Sequence, residues 1–324
     1  MTTKQKLTAL IKREVLDGKG GLIYTPAVVF TLLVGLLLIS VLLGNDPVEY
    51  KDFVDPKVAS EKWESLSDNT REVTQYIFSG LYWMTSAPLW IAFPFVVFFG
   101  ILGTLYEDRR DKSILFWKSM PVSDAQEVLA KFFTSTMVAA LIFFVTAIAI
   151  QLSFAIVSSI YFGIKGLPIS MVWPVAEMIE GWSRVLPLMF LIMLWSLPVF
   201  AWLLLVSAYA PRMPFMYAVV PVVVLGVMEA VIFNSSHFME TVGHYIAGGL
   251  LESAEAAAEP LKAYEKMNLD MKNPEDAAII LEAIQKFSVT DMYIYTVTQV
   301  KFWAGIIVAG GFTYGAIELR KRAS

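Results

Sequence analysis

The sequence predicts an all-α, polytopic membrane protein with six transmembrane helices, an amphipathic helix at the N-terminus and a helical extracytoplasmic insertion between the fifth and sixth spans. Composition is the first reason. Of 324 residues, 57% are hydrophobic and 17% charged, and the mean hydropathy of +0.61 is too high for a soluble domain of this size. The second reason is the pattern of apolar runs, at 24–43, 80–105, 128–162, 184–209, 213–233 and 302–317. These come near or pass the roughly 20 residues that a helix needs to cross about 30 Å of hydrocarbon. Helix is the form they must take, because a segment in lipid has to satisfy its own backbone N–H and C=O groups.

Residues 1–23 are charged and lack a short apolar core followed by a small-residue cleavage site, so no cleaved signal peptide is expected. Leu7, Leu10, Ile11 and Val15 recur there at helical spacing among Lys4, Lys6, Lys12 and Arg13, the pattern of a basic helix lying on a membrane surface. A simple positive tail is the plainer alternative. The rest, 24–324, reads as one six-span domain without an evident internal repeat.

Orientation follows from the Lys/Arg bias of the flanking segments. With the N-terminus inside, the inner pieces 1–23, 106–131, 210–214 and 318–324 carry 14 Lys/Arg in 61 residues. The outer pieces carry 9 in 121 residues, with 20 acids. Both termini are therefore expected in the cytoplasm. Trp83, Trp173, Trp182 and Trp303 fall near the expected outer interface, where an aromatic belt belongs. The long outer stretch 234–301 contains Asn273-Pro274-Glu275-Asp276, which reads as an N-cap, a first-turn proline and acids at the positive end of a helix dipole. A second helix is expected through 251–267.

The polar segment 106–124 carries the functional signal. It opens with Tyr106-Glu107-Asp108-Arg109-Arg110-Asp111-Lys112, passes through Ser113-Ile114-Leu115-Phe116-Trp117-Lys118-Ser119-Met120, and closes with Pro121-Val122-Ser123-Asp124. Ser123 is placed to cap the helix entering the third span. A solvated interhelical loop is the bland reading. The segment also resembles the cytoplasmic coupling region of ABC-2 type permeases, the transmembrane subunits of bacterial ABC exporters. The resemblance covers roughly 20 residues closely and the rest of the chain only in layout. The Gly-Thr common after the family's acidic cluster is Asp111-Lys112 here, and the stretch between spans five and six is longer than usual.

The resemblance implies a permease in the bacterial inner membrane, working as a homodimer or with a similar permease and driven by two copies of a separate ABC ATPase that bind ATP and Mg. Glu107, Arg109, Arg110, Lys112, Phe116, Trp117, Pro121 and Ser123 would then form the coupling site, an aromatic anchor with a charged rim. No phosphate-binding G-x-x-x-x-G-K-[ST] occurs in the chain, and Gly18-Lys19 lacks the preceding glycine, so ATP hydrolysis is expected in the partner. No cofactor is expected in this chain, and no nucleic-acid partner; membrane lipid is one.

Four other features carry weaker signals. His237, Glu240 and His244 share one face if helical, but i to i+7 sets the histidines about 10 Å apart along the axis, too far for one metal ion without bending. Glu229 sits in an apolar run, so it is either a pathway or gating acid or a water-accessible helix end. Gly311 and Gly315 form a GxxxG that lets another helix approach, although such spacings are common by chance. Pro187, Pro198, Pro211, Pro214 and Pro221 punctuate spans four and five as candidate kinks. With no cysteine, thiolate metal sites and disulfides are excluded. The rivals to a permease are a non-transporting anchor or sensor subunit and a polytopic membrane metalloenzyme.

Overall fold

A computed structural model of the protein describes residues 3–43, 68–112, 122–258, 276, 279 and 288–322. Among these residues every regular element is helical. In chain order the helices are α1 (Thr3–Asp17), α2 (Thr25–Leu42), α3 (Asp68–Thr85), α4 (Ala87–Arg110), α5 (Asp124–Phe133), α6 (Ala139–Ile164), α7 (Val175–Trp195), α8 (Leu197–Tyr209), α9 (Pro214–Phe233), α10 (His237–Gly243), α11 (Gly249–Ala258), α12 (Val289–Thr298) and α13 (Val300–Arg322). Single π-helical turns continue α1 into α2, α5 into α6 and α10 into α11.

Among the described residues six helical stretches are long and apolar enough to cross a membrane: Gly20–Leu42, Ala87–Arg110, Asp124–Ile164, Ile169–Trp195, Pro214–Phe233 and Val300–Arg322. The chain is thus built as a multi-pass membrane protein. On α2 and α9 most apolar side chains lie open to the surroundings, including Leu32, Leu36, Val231 and Phe233. A helix that is apolar all round and so little covered belongs in lipid.

The third stretch is the longest, 41 residues, or about 62 Å at 1.5 Å per residue. That is twice the hydrocarbon thickness, so it projects beyond the bilayer. Its end at α6 is wrapped by α3 and the turn at Ile169–Val172: Phe78 meets Phe162 edge-on at 6.0 Å, and the Tyr82 hydroxyl donates to the Val172 carbonyl at 2.6 Å.

The fourth span departs from expectation. The apolar run 184–209 is two helices, α7 and α8, separated at Ser196 (φ −82°, ψ 3°) with Pro198 in the first turn of α8. The same device separates α3 from α4, at Ser86 (φ −88°, ψ −3°) with Pro in the first turn. In both places Ser-X-Pro stops one helix and starts the next, because the proline lacks the N–H that a continuing helix would use. Pro187 and Pro221 lie inside α7 and α9, whereas Pro214 starts α9 and Pro211 lies in the link before it. The span itself begins earlier than its apolar run, at Ile169, because Glu177 and Glu180 interrupt the pattern there.

At mid-bundle, Ser86 accepts from the Trp90 indole at 3.2 Å and from Gln151 Nε2 at 3.4 Å, while Gln151 Oε1 accepts from the Trp182 indole at 2.7 Å. Gln151 is fully buried, so this chain of bonds satisfies a side chain that would otherwise be costly there. Trp182 is therefore a member of an internal network, and Trp173 likewise donates to Ser159 at 2.7 Å, while Trp303 is the exposed one of the expected belt. Trp83 packs on Gly181.

Helices α10 to α12 form the described part of the insertion between the fifth and sixth spans. The expected cap at Asn273-Pro274 and most of the expected second helix beyond Ala258 lie outside the described residues. Trp195 anchors α11: its indole donates to the His244 carbonyl at 2.7 Å and stacks on Phe302 at 5.9 Å. Gly249 is the close approach that permits this, since a Cβ there would lie 1.7 Å from Trp195 Cζ2. Of the GxxxG pair, Gly315 lies against Leu205 of α8, and Gly311 meets nothing within 4 Å among the described residues. Gly249→Ala is expected to destabilise the protein by about 1–3 kcal/mol through overpacking, with Gly311→Ala neutral. Thermal unfolding of both variants in detergent checks the contrast.

Candidate functional site

The first and last helices both pack on α5 at one end of the bundle, where four helices gather around charge. Arg13 and Glu14 come from the C-terminal part of α1, Asp108 from the end of α4, Asp124, Glu127 and Lys131 from α5, and Arg320 from the end of α13. Local sequence places them well. Acids in the first turn of α5 and bases in the last turn of α13 both complement the helix dipoles. Ser123 starts α5 with a capping box: its hydroxyl accepts from the Gln126 N–H at 3.2 Å, and the Gln126 side chain accepts from the Ser123 N–H at 3.2 Å.

The contacts form one network. Arg320 Nη1 donates to Asp108 Oδ2 at 2.9 Å, and Lys131 Nζ reaches Glu14 Oε2 at 2.9 Å and Asp108 Oδ1 at 3.4 Å. Arg13 pairs with its neighbour Glu14 and reaches Glu127 Oε1 at 3.3 Å. Arg320 Nη2 lies 2.7 Å from Glu127 Oε1 but off the hydrogen-bond direction, so that contact is ionic; Asp124 Oδ1 stands 3.7 Å from Arg320 Nε at the rim. Arg320, Lys131, Glu127, Glu14 and Asp108 are all at least nine-tenths buried. Three cations face three acids, which is the condition for burying charge at all.

The segment 106–124 emerges from this cluster, and its residues divide. Asp108 turns inward. Arg109 also turns inward, donating through Nη2 to the carbonyls of Ser207 at 2.8 Å and Ala210 at 2.9 Å, the negative end of α8. The Ser207 hydroxyl in turn accepts from the N–H groups of Leu105 and Tyr106 at 3.0 and 3.1 Å. Glu107, Arg110 and Lys112 face outward; Lys112 ends the helix in the left-handed region at φ 57°. Phe116, Trp117 and Pro121 lie outside the described residues.

The comparisons with protein-family models, curated proteins and solved structures give no match.

The other expected residues fall elsewhere. Glu229 accepts from the Ser235 hydroxyl at 2.9 Å and from the Phe238 N–H at 2.8 Å, which fastens the start of α10 to the end of α9. His237 is exposed, with Nδ1 3.7 Å from Glu240, whereas His244 is buried, with Nδ1 3.2 Å from Glu252. The two imidazoles thus serve different partners, and among the described residues no group of three His, Asp or Glu side chains is placed to hold a metal ion.

The buried cluster is not marked in the sequence as a site. Its only local trace is the spacing of Asp124, Glu127 and Lys131, which shares one helix face. Arg320→Met leaves Asp108 and Glu127 short of a cation and is expected to cost about 3–5 kcal/mol. Adding Asp108→Asn should recover part of that stability, a coupling that a double-mutant thermal-unfolding cycle measures.

His244 supplies a pH dependence at the opposite end. Burial holds its pKa below the usual value of 6.5, against the opposing pull of Glu252, and Lys301 adds to the lowering. The folded protein therefore favours neutral imidazole, and stability is full above about pH 6.5 and falls as pH drops below it. The protection factors of the α10 and α11 amides, taken relative to the intrinsic exchange rate at each pH, should fall on acidification in the native chain, and His244→Gln should flatten the response.

Proposed function

We propose that this chain is the membrane-spanning subunit of an ATP-driven exporter of the ABC-2 type, a homodimer or a heterodimer with a similar permease, powered by two separate ATPase chains. In this reading both termini lie in the cytoplasm of the bacterial inner membrane, which the Lys/Arg distribution favours. The ATPase, with ATP and Mg, docks on 106–124, with Phe116 and Trp117 as its apolar anchor and Glu107, Arg110 and Lys112 as its charged rim.

One observation carries the proposal. The two helices that flank the resembling segment are locked to α1 and α13 through the same buried charges. A push on the segment would reach Asp108 at one end and Glu127 and Lys131 at the other, and through them the helices at both termini. Arg109 extends the connection to α8. Nothing in the described residues favours the metalloenzyme reading.

Purification from its native host under mild detergent should bring down an ATPase in stoichiometric amount. Phe116→Ala combined with Trp117→Ala should leave thermal stability within about 0.5 kcal/mol and abolish the transport that accompanies hydrolysis. A double variant that still transports and hydrolyses normally rules the coupling assignment out.

A further inference from the structure

Beside the charge cluster a cavity of about 680 Å³ runs along α4 and opens between it and the link from α1 to α2. That volume suits a small-molecule ligand. From Phe95 to Glu107 it follows 12 residues of helix, about 18 Å. One stretch of its lining is apolar, formed by Leu22, Phe95 and Phe99, and both phenylalanines are more than half exposed. Its mouth is acidic. Asp17, Glu107 and Asp111 line it in addition to Glu14 and Asp108, and Lys131, already paired with those last two, is its only basic lining residue among the described ones. Arg13 stands 3.7 Å from Asp17 and Arg110 2.9 Å from Asp111, and neither arginine lines the cavity.

Glycines shape the space. Gly100 has no described atom within 4 Å of where a Cβ would be, and Gly103 leaves room for the Glu107 carboxylate, which a Cβ would approach to 3.1 Å. A second feature points to an occupant. Thr134 lines the wall one turn beyond Lys131; it is 1% exposed, and its hydroxyl has no hydrogen-bond partner among the described residues. A buried hydroxyl left this way costs free energy until something bonds to it. The acids do not converge on a point that would hold a metal ion. Spread carboxylates over a lipid-open apolar groove instead complement an extended molecule with a diffuse positive head.

We infer that this groove binds a cationic amphiphile, an alkyl chain along Phe95 and Phe99 with its ammonium group at Asp17 and Glu107. A primary amine keeps its charge at neutral pH, and removing one charge-assisted hydrogen bond to such a head weakens binding about tenfold or more. The site needs no ATPase, so it stands or falls separately from the transport proposal.

The test uses the full chain in phosphatidylcholine nanodiscs and dodecylamine carrying a diazirine in its tail, against dodecyl sulfate carrying the same group. The amine should label α4 between Phe95 and Gly103, and unlabelled dodecylamine should compete. Gly100→Leu puts a side chain into the groove at a position where a Cβ meets no neighbouring atom within 4 Å, and should cut labelling about tenfold, with unchanged thermal unfolding as the check on folding. Asp17→Asn, at an exposed carboxylate, should weaken it likewise. Equal labelling by the sulfate, or undiminished labelling of Gly100→Leu, overturns the site. Repeating the labelling with added phosphatidylethanolamine identifies the source: competition marks a bilayer aminolipid, and its failure beside dodecylamine competition marks a single-chain amine. Both results sustain the site.

Discussion

The arrangement of this protein depends on a cluster of six charges, five of them buried, at one end of its helix bundle. Each ion taken out of water costs several kcal/mol, and only a complete set of partners at short range offsets that cost. Arg13, Lys131 and Arg320 against Glu14, Asp108 and Glu127 make such a set, drawn from four helices. Sliding any one helix by a turn would strand a charge. Apolar packing does not impose this constraint, because one apolar contact replaces another with little penalty, particularly beside lipid. The cluster therefore fixes the relative height of α1, α4, α5 and α13 where the apolar faces alone would leave it loose.

Away from that end neutral contacts and breaks also set the helices. Gln151 ties α6 to Ser86 and Trp182, and Ser-X-Pro interrupts the two stretches that would otherwise run through as single rods, at Ser86 and Ser196. Each break frees the following helix to take its own direction. α8 uses that freedom to lie along α13 and α4, with its last carbonyls held by Arg109. A rigid charged end and a jointed body suit a molecule in which force enters at one end and shape changes farther along.

Some of this was legible in the sequence. The six spans were, because a bilayer demands long apolar runs and nothing else in the chain imitates them. Ser123 was, because a cap is a local feature with a local rule. The division of 184–209 was not, since Ser196-Leu197-Pro198 hardly changes the hydropathy of the run and proline is tolerated within membrane helices. Nor was the charge cluster, whose defining pair, Arg320 with Asp108, is separated by 212 residues. Glu127 and Lys131 have only the i, i+4 spacing that many exposed helix pairs share, and it is the packing of α1 and α13 on α5 that buries them. Glu229 reads in the sequence as either a pathway acid or a water-accessible helix end, and in the fold its carboxylate accepts from Ser235 and from the Phe238 N–H at the start of α10.

The groove and the resembling segment share a boundary, and that gives the two proposals a common physical footing. Glu107 and Asp111 belong to both, as acids at the mouth of the cavity and as the opening residues of 106–124. Lys131 stands between the groove and the cluster, compensating Glu14 and Asp108, which line the first and belong to the second. An ammonium group arriving at the mouth would compete with Lys131 for those carboxylates, and at low effective dielectric that competition is felt strongly over a few ångströms. Occupancy of the groove would loosen the lock on α4 and α5, and a push on the segment between those helices would in turn reshape the mouth. Reciprocity of this kind follows from linkage whenever two ligands act on one set of charges. The charges that hold the end of the bundle together are thus also the ones through which a bound cation and a docked partner would sense each other.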